Sequence, residues 1–442
     1  METQLARITE VAKRNKEEKF TSLVHLINAD TLRESHQILA KGKASGIDQV
    51  TKEEYGENLE ANVTDLLARM KRQAYKPQAV KRVYIPKPGT DKLRPLGIPA
   101  YEDKLVQKAL APILNAIYET DFLNNSFGFR PGRSGHDALK AISHIIETKR
   151  VNYVVEADIR GFFDHVDHDW MMKFLSHRIA DSNLLRLIRR FLKAGIMEAG
   201  MRYDTPEGTP QGGIISPILA NIYLHYSLDL WFEKVFQRQC KGEVYLIRYA
   251  DDFIVCCRYK EDAENYLEAL KERLGKFNLE VAEEKTRILK FGRFANEDNR
   301  REGKGKAGTF DFLGFTHYCS SSKKGKFRVK RKTSRNKMNA SLHRFKDWLR
   351  SNLNQPLKEL MPKLRVKLLG HFRYYGITDN YTSLSEFSYH VRRGLFWWCN
   401  RRSQGKHYNW GRFNKMLNNH NYPHPKIYVN IYDIEPGIGY LK

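Results

Sequence analysis

The chain has 442 residues, 41% of them hydrophobic, and a formal net charge of +25, because 76 lysines and arginines outnumber 51 aspartates and glutamates. This length and apolar content can build a core in each of two or three domains, which excludes a disordered tail protein. The sequence contains no apolar run of about 18 residues and begins with a charged segment, so we expect a cytoplasmic protein with no signal peptide and no membrane partner.

The N-terminal part of the sequence alternates helical segments with basic loops. Residues 1–75 have a helical pattern, and residues 80–99 predict a basic β-hairpin with the turn KPGTDK. Helical periodicity returns in residues 100–122, and the loop SFGFRPGRSG leads into a helix that Ser134 or Asp137 would cap. We therefore expect a helical N-terminal part interrupted by one basic hairpin.

Downstream, the pattern changes to short apolar strands that end on acidic residues. The segment NYVVEADIRGFFDHV predicts a strand that ends at Asp158. The elements expected after it are a helical segment at 168–195, a glycine-rich loop entering a long helix at 207–236, a hairpin at 244–257, a helix, turn and strand at 261–289, a polar loop at 292–308, helices beyond Arg331, and an aromatic, basic tail from Ser403.

Two adjacent aspartates, Asp251 and Asp252, lie between apolar runs in the segment LIRYADDFIVCC. By themselves they fit the turn of a hairpin, because aspartate favours turn positions. Two like charges held together are costly unless a cation neutralises them. Asp158 by itself fits a strand terminus or a helix N-cap. Three carboxylates at strand ends, beside basic segments, would instead suit two Mg²⁺ ions and nucleotidyl transfer.

The positive charge is concentrated in the last third of the sequence. Residues 321–442 contain 26 lysines and arginines but only 6 aspartates and glutamates, whereas the first 320 residues are nearly balanced. A merely solvated face would mix both signs. This distribution therefore indicates a separate domain that binds a polyanion, and nucleic acid is the expected partner.

Seven segments, taken in order, resemble the motif series of bacterial group II intron-encoded reverse transcriptases, also called maturases: IPKPGTDKLRPLGIP, SFGFRPGRSGHDAL, ADIRGFFDHV, GTPQGGIISPILANIYL, LIRYADDFIVC, NLEVAEEKTRIL and FDFLGF. The resemblance extends from about residue 40 to about residue 400. It implies an α+β fold, a right-hand polymerase with a helical N-terminal extension and fingers, an antiparallel-sheet palm and a helical thumb. Since many relatives continue into an endonuclease with paired cysteines, which this sequence lacks, we expect an endonuclease-lacking type.

The resemblance also implies domain boundaries. They are 1–75 for the N-terminal extension and the start of the fingers, 76–320 for the fingers and palm, 321–402 for the thumb or maturase (X) domain, and 403–442 for a basic aromatic tail.

Roles for single residues follow from the same resemblance. It makes Asp158, Asp251 and Asp252 ligands of two Mg²⁺ ions, with the backbone of Ile159 as an additional ligand. The residues implied in nucleotide binding are Lys87 and Arg94 on the triphosphate, Phe163 against a 2′-hydroxyl, Gln211 and Gly212 beside the new base pair, and Lys285 as a general acid near the leaving phosphate. Without the resemblance, the two hairpin cations fit a solvated face and Phe163 fits ordinary core packing.

In the basic last third, the resemblance implies lysines and arginines that bind RNA: Lys330, Arg331, Lys332, Arg335, Arg365, Lys367, Arg373, Arg392, Arg393, Arg401 and Arg402. Aromatic residues are interleaved with these cations. For Phe396, Trp397 and Trp398 we expect the core of a helix bundle.

The expected function is therefore that of an RNA-directed DNA polymerase of a group II intron, which copies RNA into cDNA and binds intron RNA to assist splicing and mobility. Its expected partners are an RNA template with a DNA or RNA primer, deoxynucleoside triphosphates and the intron RNA. Two alternatives remain open: a domesticated reverse transcriptase in phage defence or a CRISPR system, and a splicing cofactor with a vestigial polymerase. The sequence indicates no oligomeric state.

Overall fold

The computed structural model describes residues 2–86, 93–198, 200–209, 212–352, 354–401 and 408–433. The α-helical segments of these residues are α1 (Glu2–Arg14), α2 (Ala29–Ile38), α3 (Lys52–Glu57), α4 (Leu59–Lys71), α5 (Tyr101–Tyr118), α6 (Gly135–Thr148), α7 (His168–Ser176), α8 (Ser182–Leu192), α9 (Ser216–Leu224), α10 (Gln237–Gln239), α11 (Lys260–Gly275), α12 (Ala295–Arg301), α13 (Arg335–Ser351), α14 (Leu357–Tyr375), α15 (Tyr381–Arg401) and α16 (Trp410–Asn419). Capping boxes start several of them. At α6 the Ser134 hydroxyl accepts from the Asp137 amide while the Asp137 carboxylate accepts from the Ser134 amide.

Three sheets are formed by strands β1 (Val80–Pro86), β2 (Leu93–Ile98), β3 (Tyr153–Ala157), β4 (Ile196–Glu198), β5 (Met201–Tyr203), β6 (Val244–Tyr249), β7 (Asp252–Cys257), β8 (Arg287–Lys290), β9 (Phe310–Phe312), β10 (Phe315–Ser321) and β11 (Phe327–Thr333). The strand orders are β2-β1-β4-β5 in the hairpin sheet, β6-β7-β3-β8 in the central sheet and β11-β10-β9 in the C-terminal sheet. All pairs are antiparallel except β1 with β4, so the mixed, mainly antiparallel composition confirms the predicted α+β class.

The central sheet is covered on both faces, because successive side chains of a strand point to opposite sides. Val155 and Val255 face one core, which contains α5, α7, α9 and α11. Their neighbours Val154 and Cys256 face a second core, which contains α6, the C-terminal sheet and helices α13, α14 and α15. A sheet held between two cores is a rigid support for whatever lies at its ends.

Two sequence expectations change in the C-terminal half. The stretch 292–308, expected as a polar loop, contains α12, which begins directly after Phe294 and buries Ala295. Helical structure begins at Arg335, because residues up to Thr333 pair with β10 as strand β11. The expected boundary between residues 320 and 321 falls inside β10. None of the helices described is both long and apolar enough to cross a membrane.

Candidate active site

The pairing of β3 with β7 brings the three predicted aspartates to one end of the central sheet. The strands are antiparallel, with Ala157 opposite Phe253, so Asp158 follows β3 at the end where Asp252 begins β7. Asp251 belongs to the turn just before it. All three aspartates line one cleft of about 450 Å³.

The turn between β6 and β7 is tight. Tyr249 pairs with Asp252, which leaves only Ala250 and Asp251 to reverse the chain. Ala250 adopts a φ of +56°, a left-handed conformation that L-residues other than glycine adopt rarely. Such a turn needs support from its surroundings.

A buried ion pair provides that support. Arg248 and Asp229 are both 0% exposed, and the Arg248 guanidinium donates from Nε to Asp229 Oδ1 at 2.8 Å and from Nη2 to Oδ2 at 2.5 Å. Its Nη1 donates to Asn221 Oδ1 at 3.0 Å and to the Ala250 carbonyl at 2.9 Å. The last bond ties the strained turn directly to the core. The sequence does carry a signal for this pair, because Arg248 and Asp229 each lie within an apolar segment. The motif series alone does not reveal it.

A second backbone segment packs on the same turn. Gly128 lies so close to it that a Cβ at this position would come within 2.3 Å of the Ala250 nitrogen. The Asn221 amide donates to the Gly128 carbonyl at 2.7 Å, so one side chain links both segments. The next residue, Phe129, has a φ of +57° and lines the same cleft as the three aspartates. Gly128, the first glycine of the FGFRPG loop, is therefore required for the close approach of this segment to the turn.

The electrostatics of the cleft reflect crowded negative charge. Desolvation, together with the carboxylates of Asp251 and Asp158, raises the pKa of Asp252 to about 7. Desolvation and Asp158 also raise the pKa of Asp251. The Lys285 ammonium pairs with the Asp158 carboxylate, a hydrogen bond that raises the pKa of Lys285. A cation bound between these oxygens would relieve the repulsion.

The donor set has the chemistry that Mg²⁺ requires, since carboxylate oxygens are hard ligands. Within the described ranges, however, no three carboxylate, imidazole or thiolate groups converge as ready ligands of one ion. Lys285 is the cation that faces Asp158. Ile159, predicted to contribute its backbone, also lines the cleft.

The predicted nucleotide-binding residues that the structure describes surround these aspartates. Arg94 lines the cleft, and its charge opposes the rise in the pKa of Asp251. Phe162 and Phe163 both line the cleft, but Phe162 is buried in the core, whereas Phe163 is only partly buried and also lines a neighbouring cavity of about 280 Å³. Lys87 and Gln211 lie outside the described residues.

Gly212 packs against the hairpin sheet. Its φ of +116° suits glycine alone, and a Cβ there would lie 2.5 Å from the carbonyl oxygen of Gly97 in β2. Gly212 therefore rests directly on β2, the hairpin strand that contains Arg94.

The predicted RNA-binding residues divide into exposed and buried groups. Those with exposed side chains are Lys332, Arg335, Arg365, Lys367, Arg373, Arg393 and Arg401, while Lys330 and Arg392 are half-buried and Arg402 lies outside the described residues. Arg331 was assigned wrongly. It is 0% exposed, because its Nη2 donates to Ser143 Oγ at 2.9 Å and to the Val329 carbonyl at 2.7 Å, and burial lowers its pKa.

The three aromatic residues expected in a helix-bundle core have different surroundings. Trp398 is buried, and Phe396 is partly buried and stacks on Trp410 with ring centroids 4.1 Å apart. Trp397 is 60% exposed, so the core assignment is wrong for this residue. Three consecutive residues of a helix cannot all face the same core.

Comparisons with known proteins agree with the geometry. Residues 85–317 match the family model described as reverse transcriptase (RNA-dependent DNA polymerase). The chain is 32% identical to the group II intron-encoded protein LtrA of Lactococcus lactis subsp. cremoris, over 87% of this chain and 75% of that protein. It is 34% identical to protein YkfC of Escherichia coli K12, over 58% of this chain and 76% of that protein. A shorter match, 34% identical over 22% of this chain and 13% of the relative, is to nuclear intron maturase 1, mitochondrial, of Arabidopsis thaliana.

Proposed function

The chain belongs to the reverse transcriptases, the RNA-directed DNA polymerases, and among them to the group II intron-encoded proteins, and we propose that Asp158, Asp251 and Asp252 carry its polymerisation reaction. The observation that supports this assignment is their convergence at one end of the central sheet, in one cleft with Arg94 and Lys285. The protein copies RNA into DNA and assists the splicing of its intron.

The three carboxylates would hold two Mg²⁺ ions. When bound, such ions supply the positive charge that activates the 3′-hydroxyl of a primer and stabilises the pyrophosphate leaving group. The protein's own groups bind and orient the reactants, deoxynucleoside triphosphates and a primer on an RNA template. Arg94 would bind the triphosphate through its guanidinium, which suits phosphate oxygens. Lys285 would donate a proton from Nζ to the leaving phosphate, because a lysine ammonium group is protonated at neutral pH.

Two of the sheets and the C-terminal helices would correspond to the parts of a right-hand polymerase. We assign the hairpin sheet to the fingers, the central sheet to the palm, and helices α13, α14 and α15 to the thumb. Lys87, Gln211 and Gly212 would belong to the surface that receives the nucleotide and the new base pair. The exposed cations of α13, α14 and α15 would follow RNA phosphates, as the charge distribution predicts.

The alternative of a vestigial polymerase is not favoured. A protein that serves only in splicing has no need to keep three mutually repelling carboxylates in one cleft, and here the repulsion raises the pKa of Asp251 and Asp252. The alternative of a domesticated enzyme is not favoured either, because relatives of the chain include a protein described as group II intron-encoded and another described as an intron maturase.

Primer extension tests the proposed function. We expect the purified protein to extend an annealed primer on an RNA template when Mg²⁺ and all four deoxynucleotides are present. Chelation of the metal should stop synthesis, and restored Mg²⁺ should restart it. A protein that binds the template tightly but makes no cDNA under any metal condition would contradict the polymerase assignment and leave splicing assistance as the activity.

Sugar selection provides a second prediction. We expect Phe163→Ala to increase ribonucleotide incorporation relative to deoxynucleotide incorporation on the order of tenfold or more, because the ring would no longer occupy the space of the 2′-hydroxyl. Phe232→Leu is the control, since Phe232 is buried in the first core, is not among the residues that line the cleft and should leave the ratio unchanged. An unchanged ratio for Phe163→Ala in a nucleotide-competition assay would refute the assignment.

A further inference from the structure

Helix α15 presents a regular stripe of exposed aromatic and basic side chains. Tyr389, Arg393, Trp397 and Arg401 are each four residues apart, and residues at this spacing lie on one side of a helix. Tyr389 is 55% exposed and Trp397 60% exposed, and both arginines are exposed. We call these four residues the α15 stripe.

The stripe faces away from the protein core. The buried side chains of α15 include Leu384, Phe387, Val391 and Leu395, which belong to the second core. The helix therefore needs no aromatic side chain on its outer face for its own packing. Exposed apolar surface that is grouped in a patch and rimmed by polar residues marks an interaction site.

Contacts within the stripe already combine aromatic and cationic groups. The Arg393 guanidinium lies 5.5 Å from the centroid of the Tyr389 ring, and its Nη1 donates to the Tyr389 hydroxyl at 3.2 Å. Beside the stripe, Trp410 of α16 is partly exposed and stacks on Phe396. Aromatic rings with adjacent guanidinium groups are the usual composition of a surface for nucleic-acid bases.

The excess of positive charge around the stripe favours a polyanionic binding partner. Residues 381–432 contain eight lysines and arginines but one acidic residue, Glu386, which is exposed at the N-terminal end of the same side. A protein partner of ordinary composition would not match this imbalance, whereas a phosphate backbone does.

The spacing of the two aromatic rings in the stripe favours unpaired nucleotides as ligands. A rise of 1.5 Å per residue places successive members about 6 Å apart and the two rings about 12 Å apart. Bases stacked in a duplex strand repeat at about 3.4 Å and present their edges, not their faces, to a protein. Rings so far apart would stack on bases only if those bases were splayed, as in the loops and single strands of RNA.

We propose that the α15 stripe binds an unpaired segment of RNA, with bases stacked on Tyr389 and Trp397 and phosphates held by Arg393 and Arg401. This inference rests on the proposed function, because RNA is the partner of the protein there. It adds a contact site of defined chemistry outside the catalytic cleft, since none of the described residues that line the cleft comes from α15.

The test measures the affinity of the full chain for a fluorescently labelled single-stranded RNA and for a blunt-ended RNA duplex of equal length. We expect Trp397→Ala to weaken single-strand binding about 5- to 150-fold, the equivalent of 1–3 kcal/mol per stacked base, and to change duplex binding much less. Trp397→Phe, which keeps a ring, should recover most of the affinity. Phe294→Ala is the control, because Phe294 is 53% exposed but directly precedes α12 and lies outside α15.

The possible failures are distinguishable. If the wild type extends primers and binds RNA, but Trp397→Ala and Tyr389→Ala bind single strands like the wild type, the stripe is not an RNA site and the proposed function stands. Equal losses for the single strand and the duplex would also overturn the proposal, as would unchanged RNA affinity with an altered sedimentation coefficient, which would identify a protein interface. A wild type that neither binds nor copies RNA would refute the proposed function itself.

Discussion

Asp251→Asn is expected to abolish cDNA synthesis, lowering the rate of primer extension on the order of a thousandfold or more. The substitution keeps the size of the side chain but removes one negative charge, and ligands of catalytic metal ions contribute several kcal/mol to transition-state stabilisation. Affinity for RNA should be unchanged, because Asp251 lies in the cleft and carries no positive charge. Primer extension and RNA binding are measured on the same preparation.

The same substitution should not destabilise the fold. The pKa of Asp252 is raised to about 7 partly by the charge of Asp251, so ionising Asp252 at neutral pH costs folded-state free energy that the substitution reduces. We therefore expect an unfolding temperature equal to or above that of the wild type. Asp169→Asn, the same chemical change at a carboxylate paired with Arg189 on the surface, is the control and should retain extension. Wild-type extension by Asp251→Asn would refute the metal-ligand assignment.

Arg248→Ala should damage both stability and catalysis. It leaves the Asp229 carboxylate, 0% exposed, without its partner, and breaking a buried ion pair in this way costs about 3–5 kcal/mol. It also removes the donor to the Ala250 carbonyl, so the turn that places Asp251 and Asp252 loses its support. Chemical denaturation should show the loss of stability, and kcat for nucleotide addition should fall.

A double substitution separates the two effects. Replacing Arg248 by Met and Asp229 by Leu removes both buried charges, and we expect most of the lost stability to return. Catalysis should not return, because no group then donates to the Ala250 carbonyl, and a positioning role predicts a lower kcat with little change in KM. If the double variant recovers extension together with stability, Arg248 has a purely structural role.

An exposed ion pair is the control for these variants. Arg189 pairs with Asp169 between α8 and α7, and both side chains are exposed. Such pairs contribute about 0–1 kcal/mol, so Arg189→Ala should change stability and extension little. A loss as large as that of Arg248→Ala would mean that removing any ion-paired arginine is damaging.

Local patterns in the sequence were sufficient for several elements of the fold and for the identity of the site. The β1–β2 and β6–β7 hairpins form where short runs of strand-favouring residues flank a turn, since both strands and turn are encoded within a few residues. The long helix after the glycine-rich loop was predicted as well, although it contains π-helical turns at His225–Asp229 and Phe232–Phe236. The residues of the motif series and the basic character of the last third are properties of the sequence itself.

What the sequence by itself determined was thus the chemical nature of the site: which residue types occur, in which order, and which carboxylates end which strands. Only the tertiary structure decided which of them meet. The pairing of β3 with β7 joins Asp158 to the aspartate pair, the Arg248–Asp229 pair forms beneath the turn, Arg331 is buried, and Trp397 faces solvent. These outcomes depend on contacts between segments far apart in the chain, and periodicity reports only which residues share a face, not what that face will contact.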